Sequence, residues 1–201
     1  MPVKPLRARQ AEATRNLLID VARKNFTEHG YGATSIDDII VQAGVARGAL
    51  YHHFPGKEAL FRAVYEVVEG EVIARVMEAA ASQGSPWGAL RAGLSTFLDA
   101  CLEPAFRRIV VLDSVSVLQA QVMEIGIDPV ELPMLRSILT PLLGTTTFAG
   151  MAVDALAYVA LGALYGASLF IARASDPLAA RAQVEGVLDT LIGGLLASPS
   201  E

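Results

Sequence analysis

Residues 35–54 of this 201-residue chain are SIDDIIVQAGVARGALYHHF, and this stretch decides the fold. The hydroxyl of Ser35 can accept a hydrogen bond at the start of a helix, and Asp38, three residues later, completes a capping box. Apolar residues then follow at helical spacing, namely Ile36, Ile39, Ile40 and Ala43. Gly44 supplies the backbone freedom that a tight turn requires. The first half of the stretch therefore predicts a short helix that ends at Gly44.

The second half of the stretch predicts another short helix, over residues 46–53, that exposes hydrogen-bond donors. Val45 is an apolar plug between the two helices, and Pro55 ends the second one because proline disfavours helical geometry in the residue before it. The donors are Arg47, Tyr51, His52 and His53, with Lys57 close by. Between them, the small residues Gly48 and Ala49 permit close approach to another surface. Base edges and phosphates of nucleic acids require this combination.

Five segments carry a wider pattern: FTEHGY from residue 26, TS from 34, AGV from 43, GALYHHF from 48 and KEAL from 57. In this order and spacing they resemble the TetR family of bacterial transcriptional regulators. The resemblance covers about residues 11–70, and Ala46 stands where the family often has a serine or threonine that caps the recognition helix. It implies an all-α fold, with a three-helix, homeodomain-like DNA-binding head joined to a helical ligand-binding and dimerisation body.

The resemblance, together with the donor pattern, predicts the DNA-contacting residues Thr34, Ser35, Arg47, Gly48, Ala49, Tyr51, His52, His53 and Lys57. Thr34 and Ser35 offer hydroxyls at a helix N-terminus, where anions bind, although capping alone also explains Ser35. The guanidinium of Arg47 suits a guanine in the major groove, and a phosphate contact is an equal alternative. Lys57 is expected to meet a phosphate as a point charge.

Alternative interpretations exist for the aromatic donors. Tyr51 can be a core residue that supports Phe54, but DNA contact is favoured for it. His52 and His53 do not predict a metal site, because adjacent positions on a helix do not share a face and no third ligand type lies nearby. We expect His52 to contact DNA and His53 to be half-buried. Further basic residues lie near the N-terminus, and they predict either a flexible arm in a minor groove or a solvated tail: Arg7, Arg9 and Arg15.

Composition sets wider limits on function. The chain is 53% hydrophobic, which is ample for a core, and its net charge is −5. Residues 1–60 nevertheless carry +2, together with every lysine and histidine, so the acidic excess lies in the remainder. This asymmetry is typical of a nucleic-acid-binding head on an acidic body. The single cysteine, Cys101, excludes an internal disulfide and is consistent with the cytoplasm, and the polar N-terminus does not predict a secretory signal.

Helical periodicity continues on both sides of the central stretch, and no trustworthy strand alternation occurs, so the fold class is all-α. An amphipathic helix over 11–29 ends near Gly30, and a long helix over 57–81 bridges head and body. Further helices are predicted in the body, over 86–102, 105–123, 130–143, 155–172 and 177–197, with a loop at 144–147. We divide the chain into a DNA-binding domain, 11–70, and a regulatory and dimerisation domain, 71–201.

The segment 155–172 has 18 uncharged residues and passes for a transmembrane helix by length. Its alanine and glycine content, the flanking charges and the lack of a second such segment argue against a membrane. A helix that is apolar all round must be buried on all sides, and a subunit interface supplies that burial. The family resemblance implies that the last two long helices form a four-helix interface, so we expect a homodimer.

The body predicts ligand binding rather than catalysis. It contains no histidine, no glycine-rich phosphate loop and no HExxH motif, so we expect no enzyme, no cofactor and no metal. Its aromatic and apolar side chains, with a few polar groups, suit a small apolar or aromatic effector. The candidate ligand residues are Tyr65, Trp87, Arg91, Phe97, Cys101, Phe106, Tyr158 and Tyr165. Ordinary core packing is the alternative for each, and Cys101 can be a thiol sensor or an inert core residue.

The sequence therefore favours a cytoplasmic, ligand-responsive repressor that binds a palindromic DNA operator as a homodimer. Three alternatives stay open. They are a helical ligand-binding protein or enzyme whose head is only a scaffold, a membrane-associated helical protein, and a regulator that has no small-molecule effector.

Overall fold

A computed structural model describes residues 6–118, 131–143 and 152–197, with side chains up to residue 192. Every regular element in these ranges is a helix, which confirms the all-α fold. The helices are α1 (Leu6–Ala33), α2 (Ile36–Ala43), α3 (Arg47–His53), α4 (Lys57–Ala81), α5 (Pro86–Ala100), α6 (Phe106–Asp113), α7 (Ser114–Val117), α8 (Glu131–Leu139), α9 (Val153–Arg173) and α10 (Pro177–Ala197), with a 3₁₀ turn at Thr140–Leu142. The predicted loop 144–147 and the end of the predicted helix 105–123 lie outside the described residues.

The first three helices form the head, and α4 closes its core. Phe26 of α1, Ile39 of α2, Leu50 of α3 and Phe61 of α4 are all fully buried. The Phe26 and Phe61 rings meet edge to face at 5.2 Å, a geometry that adds to the hydrophobic stabilisation. Burial of Leu50 fixes which side of α3 faces the core and leaves its opposite side exposed.

Helix α1 already includes Leu6, ahead of the predicted start at residue 11. The predicted stop at Gly30 is present as a break, because the φ of 77° at this residue is not helical. A Cβ at Gly30 would also lie 1.8 Å from Nη2 of Arg108. The positive φ favours glycine here, and the guanidinium of Arg108 occupies the space beside it.

The boundaries of the helix-turn-helix agree with the sequence rules. The Ser35 hydroxyl accepts from the backbone N–H of Asp38 at 3.0 Å, and Gly44 ends α2 with a φ of 64°. The predicted capping box is altered, since the Asp38 carboxylate accepts from the Ser35 hydroxyl at 2.6 Å. Ala46 precedes α3 without a side-chain cap. Helix α3 is therefore held mainly by its packing.

We expect Ser35→Ala to lower the free energy of unfolding by about 1 kcal/mol, because the N–H of Asp38 loses its acceptor. Ser35→Thr keeps a hydroxyl at the cap position and should stay within a few tenths of a kcal/mol of the wild type. Urea unfolding followed by circular dichroism measures both. Equal stability of the wild type and the alanine variant would contradict this role for Ser35.

The predicted bridge between head and body is confirmed as α4. Its first turns contribute Leu60 and Val64 to the head, and Val72 and Val76 are buried in the body. Two bidentate ion pairs brace it. The guanidinium of Arg23 on α1 meets both carboxylate oxygens of Glu71 at 2.8 Å, and Arg75 meets Glu103 at 2.6 and 3.0 Å. One unbroken helix thus joins the core of the head to the core of the body.

Helix α6 differs from the ordinary α-helix that the sequence predicts, because it is π-helical over its whole length. Each wider π turn holds more residues, which shifts the direction of successive side chains. Arg107 donates from Nε to the carbonyl of Ala172 at the end of α9, at 2.9 Å, whereas its neighbour Arg108 lies against Gly30 of α1. Neighbouring residues of α6 thus connect two different parts of the molecule.

Helices α9 and α10 lie side by side on the outside of the body. One side of α9 is buried against α6, α8 and α10, through Ala157, Ser168, Ile171 and Ala172. The other side is exposed, so a single chain does not provide the all-round burial that the apolar sequence of this helix predicts. We define the outer face by six exposed apolar residues on these two helices: Tyr158, Val159, Tyr165, Phe170, Val187 and Leu191, which are 45% to 71% exposed.

By length and composition, α9 passes the test for a membrane-spanning helix, and it alone does so within the ranges given above. Of the 18 consecutive residues of α9 that are most apolar, only 22% are buried. Near the start of α9, Asp154 forms an ion pair with the guanidinium of Arg136 on α8. Near the end of α9, the carbonyl of Ala172 accepts a hydrogen bond from Arg107. These polar attachments are typical of a helix in a folded body with an uncovered outer face.

Candidate nucleic-acid interface

The exposed side of α3 displays most of the predicted DNA-contacting residues on one surface. Arg47, Gly48, Tyr51 and His52 are exposed, whereas Leu50 and Phe54 anchor the helix in the core. A Cβ placed at Gly48 would meet no atom within 4 Å, so no contact within the described structure accounts for glycine there.

The side chain of Arg47 is held between two neighbours on this surface. Its Nη2 lies 3.1 Å from Oδ1 of Asp37 on α2, and its guanidinium lies 5.9 Å from the centre of the Tyr51 ring. A hydrogen bond with Tyr51 and the charge of Asp37 raise the pKa of Arg47. Sequence reasoning missed Asp37, and the signal that could have found it was its position in the first turn of α2, beside the predicted contact Ser35.

The two adjacent histidines differ in exposure, as the sequence predicts. His52 is exposed and His53 is half-buried, and their rings meet edge to face at 5.3 Å. His53 also lies 6.4 Å from the ring of Phe54. Ala49 is half-buried beside them. His52 is therefore the more accessible member of the pair on the α3 surface.

The structure does not display Thr34 on this surface. Thr34 is only 4% exposed, and its hydroxyl donates to the carbonyl of Gly30 at 2.8 Å and lies 3.2 Å from that of Asn25. The break of α1 at Gly30 leaves a carbonyl that Thr34 satisfies. We therefore leave Thr34 out of the interface that we propose below, and keep the exposed Ser35.

Lys57 also has a structural role that the sequence does not predict. Its ammonium lies 4.3 Å from the centre of the Tyr31 ring and 3.4 Å from the carbonyl of Gly32. Burial lowers the pKa of Lys57. The residue is half-buried at the start of α4, so a phosphate would have to compete with these contacts for its charge.

The basic residues at the N-terminus belong to α1 and do not form the flexible arm that was one of the two expectations. Arg7, Arg9 and Arg15 are exposed on that helix, and the guanidinium of Arg15 lies 5.5 Å from the centre of the Phe54 ring. Arg15 is thus tied to the end of α3 and adds positive charge beside it.

The predicted ligand residues are not brought together around one cavity. An apolar cavity of about 40 Å³ lies between α4, α5, α8 and α9, and of the predicted residues Phe97 alone lines it. A half-open cleft of about 210 Å³ between α5 and α10 includes Arg91. The residues of the apolar cavity that sequence reasoning missed are Val76, Leu90, Gly93, Leu94, Met134, Leu135, Ile138 and Leu164.

Five of the other predicted ligand residues either face away from the interior or make contacts with neighbouring side chains. Tyr158 and Tyr165 lie on the outer face of α9, away from the interior. Phe106 packs edge to face on Phe97 at 6.0 Å, and Trp87 packs against a separate apolar cluster around α8. The Tyr65 hydroxyl donates to the buried carboxylate of Glu69.

Cys101 has the environment of an inert core residue. It is fully buried, and burial raises the pKa of its thiol to about 12. A thiol of this kind stays protonated and reacts poorly, which argues against the thiol-sensor alternative. Within the described residues, no three His, Cys, Asp or Glu side chains are grouped so that they could hold a metal ion.

Comparison with known proteins agrees with this geometry. The family profile described as "Bacterial regulatory proteins, tetR family" matches residues 18–64, and that described as "Tetracyclin repressor-like, C-terminal domain" matches residues 87–195. A crystal structure of a TetR-family regulator from Pectobacterium atrosepticum is 34% identical, with a TM-score of 0.81 over 95% of this chain and 98% of that one. The chain belongs to the TetR family of bacterial DNA-binding transcriptional regulators.

Other relatives share less of the chain. The transcriptional regulator AcrR of Shigella flexneri is 34% identical over 103 residues, 51% of this chain and 48% of its own length. A TetR-family regulator from Streptomyces coelicolor shares the fold, with 22% identity, coverage of 90% of this chain and 95% of its own, and a TM-score of 0.69. The chain thus spans about half the length of the curated relatives, or less.

Proposed function

We propose that this protein is a cytoplasmic transcriptional repressor that binds a palindromic operator as a homodimer. The observation that carries the proposal is the exposed donor surface of α3, which is fixed in orientation by the buried Leu50 and Phe54. A short helix with Arg, Tyr and His at its surface and no bulk at Gly48 suits the major groove of duplex DNA. The proposed contacts are Ser35, Arg47, Gly48, Ala49, Tyr51, His52, His53 and Lys57.

Selection of binding sequences from a random pool of duplex DNA, by the purified full chain, tests this function. We expect enrichment of an inverted repeat whose half-sites lie about one helical turn, or a multiple of it, apart. A pool that stays random, at a salt concentration low enough for electrostatic binding, would overturn the proposal.

The outer face of α9 and α10 supports the homodimer. Tyr158, Val159 and Leu191 expose apolar surface there, and Gly162 and Gly166 have open space on the same helix. A second copy of the chain would cover these side chains through a two-fold contact, in which the same residues are buried twice. An extended apolar face on a small chain is typical of such an interface.

The apolar cavity supports a small apolar effector. Its wall includes Val76 of α4, so a ligand that widens it displaces the helix that carries the head. Such a ligand releases DNA only if it binds more tightly to the widened state than to the DNA-bound state. The present volume of about 40 Å³ is below the ~300–1,000 Å³ of typical ligand sites, so the side chains around Gly93 must move.

The small cavity also favours a second candidate, a regulator that responds to no small molecule. A panel of small aromatic compounds distinguishes the two. Compounds that raise the melting temperature and lower operator affinity support an effector. A protein that no compound stabilises, and whose operator affinity none changes, supports the second candidate.

A second connection between head and body runs through α6. The N–H of Tyr31 donates to Oδ2 of Asp113 at 2.7 Å, and Arg108 donates to the same oxygen at 3.2 Å. With Arg107 bonded to Ala172, α6 touches both the head and the helix of the outer face. We propose that these contacts set the angle between head and body.

Asp113→Ala is expected to lower the free energy of unfolding by about 1–3 kcal/mol, because the N–H of Tyr31 and the charge of Arg108 lose their partner. It should also flatten the dependence of operator binding on the spacing between half-sites, since the head is less restrained. Urea unfolding, and binding to operators with one base pair added or removed, measure the two effects. Glu78→Ala removes an exposed carboxylate from α4 as a control, and equal results for both variants would contradict this role for Asp113.

A further inference from the structure

An exposed ion pair joins the two helices of the helix-turn-helix on the surface proposed to meet DNA. Asp37 of α2 lies 3.1 Å from Nη2 of Arg47 of α3, and the guanidinium also lies over the ring of Tyr51. The two charged side chains are 66% and 63% exposed, and Tyr51 is 45% exposed. The guanidinium thus lies with a carboxylate on one side and an aromatic ring on another.

Stability of the fold does not account for this pair. Exposed ion pairs contribute little to the free energy of folding, and α2 and α3 are already joined to the core by the buried Ile39 and Leu50. A carboxylate on a surface that meets phosphates also weakens the general attraction to DNA. Asp37 also lies in the first turn of α2, where a carboxylate stabilises the helix, but that role does not require Arg47 as a partner.

We infer that Asp37 is a positioning residue that directs Arg47 to the guanine of one G·C base pair in each half-site. The inference rests on the proposed DNA-binding function and deepens it. A guanidinium has five donors in one plane, and a carboxylate on one edge leaves the remaining donors in a fixed direction. The O6 and N7 atoms of guanine accept two such donors side by side in the major groove.

The same geometry disfavours the alternative, in which Arg47 serves as a phosphate contact. A phosphate bound to Arg47 would also lie beside the Asp37 carboxylate, whose negative charge repels it. The carboxylate is also the acceptor type that matches the amino group of cytosine, so the pair presents both donors and an acceptor to a G·C edge. Other base pairs leave one of these groups unpaired, which is a source of selectivity.

The experiment uses the full-length chain and the operator that it selects from random DNA. Each position of the operator is replaced by the other three base pairs, and relative affinities are measured by competition for the wild type and three variants. Arg47→Lys keeps the charge but removes the planar fork, so it identifies the base pair that Arg47 reads. Asp37→Asn removes the charge from the positioning residue. Asp20→Asn removes an equal charge from the exposed side of α1 as a matched control.

We expect Arg47→Lys and Asp37→Asn to reduce the preference for G·C at the same position of each half-site, by at least about fivefold. Affinity of Asp37→Asn for unrelated DNA should stay equal or rise, and Asp20→Asn should keep the wild-type preference at every position. An unchanged preference in Asp37→Asn, or a uniform loss of affinity for all sequences, would overturn the inference while leaving the DNA-binding function intact. A wild-type chain that selects no sequence would overturn the proposed function itself.

Discussion

Replacing Tyr51 and His52 with alanine is expected to abolish selective operator binding while leaving the protein folded. Both side chains are exposed on α3, so their removal creates no cavity in the core. Removing one specific base contact should cost about 1–3 kcal/mol of binding free energy, and the two subunits of a dimer double this effect. Gel shifts with the selected operator and with unrelated DNA measure the change in affinity, and circular dichroism verifies the fold.

Lys57→Ala distinguishes the contribution of base contacts to DNA affinity from the contribution of charge. If its ammonium meets a phosphate, the variant weakens binding to all sequences alike and lowers the slope of log affinity against log salt by about one. Lys24→Ala removes an exposed cation from α1 and should leave the slope unchanged. Operator affinity that is unaltered in the Tyr51 and His52 double variant would contradict the assignment of α3 as the DNA-reading helix.

The second large effect is expected from the outer face of α9 and α10. Val159→Glu combined with Leu191→Glu places two carboxylates on a surface that is apolar and, in one chain, 71% and 60% exposed at these residues. In a two-fold dimer the variant would bury four unpaired charges, which is strongly unfavourable. We expect a monomer in sedimentation analysis, and an operator affinity lower by about 10²–10⁴-fold because two linked heads no longer bind together.

A control at Met77 tests whether the position, and not the added charge, is responsible. Met77 of α4 is 36% exposed and lies on a different helix, so Met77→Glu should keep the wild-type oligomeric state. Dimers that persist in the Val159 and Leu191 double variant would contradict the proposed interface. Circular dichroism would reveal a loss of folding as a loss of helical signal. We expect no such loss, because Val159 and Leu191 are both exposed in the single chain.

Local rules accounted for most of the head. Ser35, Gly44 and Pro55 each act on their own neighbours, through a cap, a left-handed φ and a restricted preceding residue, so the limits of α2 and α3 could be predicted. The π-helical form of α6 could not. It coincides with contacts of Arg107 and Arg108 to α9 and α1, which are distant in sequence and leave no mark on the local periodicity.

The sequence predicted the exposed side of α3 correctly, but it misplaced several other candidate site residues. The exposed side of α3 follows from the burial of Leu50, because a short helix with one buried face has its donors on the other. Thr34 was wrongly placed on the surface, because its hydroxyl is turned inward to the carbonyl of Gly30, which also accepts from its backbone N–H. Tyr158 and Tyr165 were assigned to the interior because a helix that is apolar all round does not reveal in its sequence which side packs inward.

Hydroxyl-radical footprinting of the wild-type chain on its selected operator tests the central claim most directly. A dimer with one α3 in each of two successive major grooves should protect two half-sites, with centres about 10 base pairs apart and on the same side of the duplex. Protection of a single half-site, or a footprint without two-fold symmetry at protein concentrations that give a dimer, would contradict the account.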